Sequence, residues 1–153
     1  MTNEVRVFIP SIPVAQPRQR HRIVTSGGKP FATNYTPTNS PVNTFKACCQ
    51  MAARQAYSGP PIDEPLVVNM LFVMPRPKSL IWKNKPMPRC PCATKKNDRD
   101  NLMKSTQDAL NGLLWTDDGL IWRGETTKVY AAGNEQPHVE LIVRWGTIGD
   151  TAP

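Results

Sequence analysis

The sequence predicts an α+β protein, a single compact domain in which a mixed β-sheet packs with two main helices. Three observations point there. Stretches of alternating apolar and polar residues near both ends of the chain read as strands, and two segments with apolar residues at three- and four-residue steps read as amphipathic helices. The length, 153 residues without an internal repeat, suits one hydrophobic core. The domain is expected over residues 1–146, with 147–153 as a flexible tail.

Val5 to Ile9 alternates as a half-buried strand does, and Pro10 and Pro13 end it. Gln16 to Lys29 then brings Arg18, Arg20, His21, Arg22 and Lys29 around Gly27-Gly28. No carboxylate occurs between Glu4 and Asp63. Arg18, Arg20 and Arg22 are therefore read as phosphate contacts, since a guanidinium makes bidentate charge-assisted bonds to phosphate oxygens; the plainer reading is a solvated loop. Ser40-Pro41 opens a helix, with Ser as cap and Pro at the first position. Val42, Phe45, Cys49, Ala52 and Ala56 carry it to about Tyr57, which puts Cys49 in the core.

Ser58-Gly59-Pro60-Pro61 breaks that helix, and Leu66 to Met74 reads as a long, well-buried strand. From Pro75 to Asn97 periodicity vanishes in a Pro-rich stretch bearing Arg76, Lys78, Lys83, Lys85, Arg89, Lys95 and Lys96, with Trp82 among them. A structureless stretch of this length is either functional or disordered, so it is read as a substrate-gripping arm or as a flexible insertion. Asp100 is the expected cap of the second helix, whose apolar positions are Leu102, Thr106, Ala109, Leu110 and Leu113; Asn111-Gly112 stops it. Thr126 to Ala132 and His138 to Trp145 read as a hairpin around Gly133-Asn134, with His138 on the exposed face.

The chemistry is expected in Lys95 to Asp118. The protein has twelve Asp plus Glu against a net charge of +7, yet five of those acids lie in these twenty-four residues. Carboxylates gathered without compensation repel one another, so a cluster in a basic chain points to a bound cation. Asp98 and Asp100, two apart, leave an extended segment on the same face. Asp100, Lys104 and Asp108 follow at four-residue steps as one polar stripe, which by itself is an ordinary series of exposed salt bridges. Asp117-Asp118 return beyond the helix, and the short link Leu113-Leu114-Trp115 is expected to fold Asp118 back onto Asp98 and Asp100.

Oxygen ligands without His or Cys suit Mg²⁺, or Mn²⁺, rather than zinc. An EF-hand does not fit, because its turn position, counted from Asp98, is Met103 and not Gly. Such an ion would polarise a phosphodiester and acidify a water, with Lys104 neutralising developing charge. Cys48-Cys49 and Cys90-Pro91-Cys92 lack the usual zinc spacing and are read as free thiols, with a four-cysteine zinc site assembled by the fold as the lesser alternative. No apolar run approaches the ~20 residues that span a membrane and no signal-peptide pattern opens the chain, so a cytoplasmic location is expected.

Asp98-Arg99-Asp100-Asn101-Leu102, Lys104, Asp108-Ala109-Leu110-Asn111-Gly112, Trp115 and Asp117-Asp118 resemble the signature of the RusA family of Holliday-junction resolvases, especially its phage and prophage members. The resemblance is specific over about Lys95 to Lys128. It implies a Mg²⁺-dependent endonuclease of mixed α+β fold in a bacterial cell, working as a homodimer on branched double-stranded DNA, with essential residues at Asp98, Asp100, Lys104 and Asp118. Gly119-Leu120-Ile121 departs from the more polar step usual in the family, which leaves Asp117 open as the ligand in place of Asp118. Arg76, Lys78, Lys95, Lys96 and Arg99 join the three early arginines as expected DNA contacts. Two rivals remain: a basic DNA-binding protein without catalysis, and a nuclease for another branched substrate.

Overall fold

The computed structural model describes residues 2–17, 20–26, 29–35 and 40–146, with the backbone course alone for 20–26 and 29–35. Arg18, the side chains of Arg20 and Arg22, and the tail expected at 147–153 lie outside the described residues. In chain order the elements are β1 (Thr2–Ile9), β2 (Arg20–Ser26), β3 (Lys29–Tyr35), α1 (Pro41–Ala56), β4 (Leu66–Met74), β5 (Cys90–Pro91), α2 (Arg99–Leu110), β6 (Ile121–Arg123), β7 (Thr126–Tyr130) and β8 (His138–Gly146). Antiparallel β2 and β3 form a two-stranded ribbon, and the other six strands make one mixed sheet.

β4 is the axis of that sheet. Its nearly unbroken apolar sequence suits a strand covered on both faces, and seven of its nine residues are buried. The sheet order is β1-β8-β4-β7-β5, with β6 also on β4. β8 runs antiparallel to β4, whereas β6 and β7 run parallel to it and follow one another along the same edge. Both helices cover one face: Phe45, Cys49, Leu102, Ala109 and Leu110 pack with Val7, Ile9, Val68, Met70, Phe72, Val139, Leu141 and Val143 in a single core. The fold is thus α+β in one domain, as the sequence predicts. No helix of the described residues is long and apolar enough to cross a membrane.

α1 begins at Pro41 and ends at Ala56 with Tyr57 as its C-cap, close to the expected span, and Cys49 is buried. That burial pushes the Cys49 thiol up to about 12, so it is an inert core group. All four cysteines are free.

The expected hairpin of the last two strands is wrong. β7 and β8 each pair with β4, which lies between them. His138 is likewise not an exposed strand residue but only 5 % exposed. It lies on the sheet face away from the helices, yet Phe8 stacks on its ring at 4.6 Å, its Nδ1 donates to the Gln136 carbonyl at 2.9 Å, and its Nε2 is 3.0 Å from Glu140 Oε2.

The Pro75–Asn97 stretch is also neither structureless nor free. A single 3₁₀ turn, Lys78–Leu80, and the short strand β5 organise it. Arg76 ties it together, donating from Nε to Leu80 O at 2.6 Å and from Nη1 to Pro88 O at 2.8 Å and Ala131 O at 3.1 Å. Arg89 anchors its far side through Nε to Glu135 Oε1 at 3.0 Å and through Nη2 to Glu140 Oε2 at 3.1 Å.

Candidate active site

Asp98, and not Asp100, caps α2. Its Oδ1 accepts from the Asp100 amide at 2.8 Å, satisfying one of the orphan donors of the first turn, and Asp100 sits inside that turn. Both residues therefore belong to the N-terminal, positive end of a helix dipole rather than to one face of an extended strand. Both residues are exposed, as is Lys104 one turn further along. The expected Lys104–Asp108 pair is not formed; Asp108 instead lies 4.0 Å from Lys46 of α1.

Three contacts from outside the helix position this end. Lys128 Nζ, from β7, donates to Thr94 O at 2.9 Å and Asn97 O at 2.7 Å, pinning the segment that leads into Asp98. Arg99 Nη1 donates to Thr126 O at 3.3 Å. Gln16 donates its amide to Asn101 O at 2.9 Å while Ser105 Oγ donates to Val14 O at 2.6 Å, so the segment leading to the β2–β3 ribbon runs alongside the start of α2.

An open groove of about 430 Å³ lies beside Asp100, lined also by Arg99, Met103, Glu125, Thr126 and Thr127. Nothing in the local sequence singles out Glu125. The signal that finds it is chain reversal: beyond α2 the backbone returns along the sheet edge, so a residue well past the acidic stretch reaches the level of Asp100. That return needs a close approach at Gly124, where an added Cβ would stand 1.7 Å from the Val68 carbonyl oxygen. Asn69 Oδ1 accepts the Glu125 amide at 2.9 Å and the Met70 amide donates to Glu125 O at 2.8 Å, which locks the step between β6 and β7.

Asp118 is not brought to Asp98 and Asp100 within the chain. Its amide donates to Asn111 Oδ1 at 3.1 Å and its Oδ1 accepts from the buried Trp115 Nε1 at 2.6 Å, which holds it at the C-terminal end of α2. Twelve residues at a helical rise make α2 roughly 18 Å long, so the third carboxylate lies most of a helix length from the first two. Burial raises the Asp118 pKa above the usual carboxylate range; Trp115 opposes that, while Asp108 and Asp117 add to it by repulsion. Asp117 is occupied otherwise, its Oδ1 accepting the Gly119 amide at 2.7 Å. Among the described residues no group of three or more His, Cys, Asp or Glu is placed to hold a metal.

The expected DNA contacts divide. Lys78, Lys95, Lys96 and Arg99 are exposed, the last three within a few residues of Asp98 in the chain, whereas Arg76 is half-buried and engaged by carbonyls. Arg20 and Arg22 belong to β2, whose pairing with β3 is described but not its side chains.

Comparison with known proteins shows the family. YqaN of Bacillus subtilis (strain 168), an uncharacterized protein, is 31% identical over 136 residues, covering 86% of this chain and 89% of the relative. Residues 10–144 match the family model described as Endodeoxyribonuclease RusA, a span holding both helices, β4 and every described candidate residue. The chain belongs to the RusA endodeoxyribonuclease family.

Proposed function

We propose that the protein is a Mg²⁺-dependent, structure-selective endodeoxyribonuclease that resolves four-way (Holliday) junctions by paired nicking as a homodimer. The observation that carries this is the Asp98–Asp100 pair at the N-terminal end of α2 in a chain that matches a nuclease family over most of its length. Their hard oxygen donors fit Mg²⁺, which keeps several waters and commonly takes one or two carboxylates plus substrate phosphate. Asp98 has an oxygen besides the one that caps the helix, and Asp100 is exposed to the groove. Bound there, the ion supplies polarisation of the phosphodiester and an acidified water.

The chain's own residues do the rest. The first turn of α2 and the exposed Lys104 draw the phosphate in and offset negative charge as it builds. Lys95, Lys96 and Arg99 flank the same end and hold the backbone of the DNA. Arg18, Arg20 and Arg22, which follow Gln16 in the chain, add further phosphate contacts in this reading.

The dimer completes the ligand set in this reading. A chain with Asp98 and Asp100 at one end of α2 and Asp118 at the other can offer Asp118 to a second copy whose α2 runs antiparallel to its own. Mixing Asp100→Asn with Asp118→Asn protein is the test: complementation restores one complete site and single nicks, whereas a site built within one chain gives none.

The rival, a DNA-binding protein without catalysis, draws on the lack of a three-acid group within the described residues. Cleavage of synthetic four-way junctions, flaps and linear duplexes with Mg²⁺ and with EDTA separates the two. Magnesium-dependent cutting that prefers the junction supports the resolvase; cutting of the flap alone reassigns the substrate. Binding with steep salt dependence and no cutting under any condition supports the rival.

A further inference from the structure

The arm between β4 and β5 carries two adjacent large apolar residues in the open, Ile81 at 56 % and Trp82 at 36 % exposure. Single exposed hydrophobics are ordinary, but these two sit in unusual company. From residue 65 to residue 97 there is no acid, and Lys78, Lys83 and Lys85 are exposed around them. The Arg76 guanidinium lies 5.1 Å from the Trp82 ring centroid and the Lys85 ammonium 5.4 Å, so the ring is held among cations.

The mount beneath them is firm. Arg76 bonds three carbonyls, Gly133 donates its amide to Met87 O at 2.9 Å, and the Trp82 amide meets Met87 Sδ at 3.2 Å. Its base is also tied to the site: β5 pairs with the Tyr130 end of β7, and the Thr126 end of that strand lines the groove beside Asp100. Four strand steps separate those ends, roughly 13 Å, about the length of four stacked bases. A firmly mounted apolar tip in a cationic collar, on an arm whose base lies a few base steps from a candidate cutting site, matches the chemistry of an unstacked base flanked by phosphates.

We propose that Ile81 and Trp82 form a wedge that inserts at the branch point of the DNA, with Trp82 stacking on a base freed there. Side chains of this kind pry base steps apart, and aromatic stacking tolerates any sequence, as a structure-selective enzyme requires. The proposal rests on the branched-DNA reading above.

The test uses the full chain carrying Asp100→Asn, which binds without cutting, and a four-way junction with 2-aminopurine beside the crossover. Binding is expected to raise the probe's fluorescence. Adding Trp82→Ala abolishes the rise and weakens junction binding about ten-fold while duplex binding changes less than two-fold; Trp82→Phe restores part of both, and Ile81→Ser weakens both without disturbing the Arg76–Trp82 contact. An undiminished signal in Trp82→Ala, or an equal loss on junction and duplex, overturns the wedge. If the parent protein does not prefer four-way junctions, the resolvase reading falls by itself, and the same probe in three-way and flap substrates decides the wedge. Indifference of all of them to Trp82 would make the arm a surface for an acidic protein and overturn the proposal.

Discussion

Lys128 reaches from the middle of β7 to the carbonyl oxygen of Asn97, 2.7 Å away, and so grips the chain one residue before Asp98. A second bond, to Thr94 O at 2.9 Å, makes the ammonium a clamp on the whole approach to α2. Replacing it with Met keeps the apolar stem but leaves two carbonyls without their donor, a loss of roughly 1–3 kcal/mol. Misplacing a reacting group by about 1 Å can cost ~100-fold in rate. Lys128→Met is therefore expected to fold and to bind junctions, while its single-turnover cleavage falls at least ten-fold. Full cleavage activity in that variant would remove Lys128 from the positioning of the site.

Gly124 is required by contact rather than by backbone angle. An Ala there would place Cβ 1.7 Å from Val68 O, and the only relief is to separate β6–β7 from β4. Gly124→Ala should cost about 1–3 kcal/mol or more, with hydrogen exchange rising at Asn69 to Thr127. Unchanged melting and exchange would mean that the edge yields easily.

Asp118→Asn separates function from stability. The amide oxygen still accepts from Trp115 Nε1, and the contact to Asn111 is made by the backbone, so both anchors survive. The half-buried charge and its repulsion by Asp108 and Asp117 are removed. The variant is expected to melt no lower than the parent protein, and to lose cleavage. A melting temperature several degrees lower would show that the carboxylate itself holds the turn.

The Arg89–Glu135 pair sets an acid limit on the arm's anchorage. Arg89 bonding holds the Glu135 carboxyl down from 4.5 to about 2. A depressed carboxylate stabilises the fold fully above its unfolded value and loses that contribution as pH falls toward the folded one. Stability should therefore drop between about pH 4.5 and 2, with a shallower drop in Glu135→Gln. Matching acid unfolding curves for the two proteins would show that the pair contributes nothing.

Metal dependence is read most directly from Asp100→Asn. Its expected phenotype is loss of junction cleavage at any Mg²⁺ concentration with binding retained or tightened, because a phosphate meets less negative charge. Gel-shift and cleavage assays on the same junction check both halves. Cleavage at the parent rate would take Asp100 out of the ligand set.

Much of this molecule is legible without coordinates. Ser40-Pro41 and the spacing from Val42 to Ala56 delimit α1, and the apolar run Leu66–Met74 is β4. Asp98, Asp100 and Lys104 could be gathered at one helix start because capping chemistry and helical spacing act over a few residues. Even there the cap lies two positions before the expected Asp100, since Asp is equally suited to either and only the bond from the Asp100 amide to Asp98 Oδ1 decides it.

Long-range placement was not legible. Alternation along β7 and β8 states which side chains share a face, not that β4 intervenes between the strands, because pairing is settled by competition among all edges at once. For the same reason His138, polar and on the outer face, is buried by Phe8 from the far end of the chain.

The amino-acid order thus determined β1, β4, β7, β8 and both helices, the acidic helix start and the family, all of which depend on neighbours a few residues apart or on a motif read in line. Only the tertiary structure decided that Glu125 and not Asp118 shares the groove with Asp100, and that Arg76 ties down the arm rather than standing free. Those outcomes follow from how a helix of fixed length and a returning strand are packed against each other, a geometric constraint that no local pattern of residues encodes.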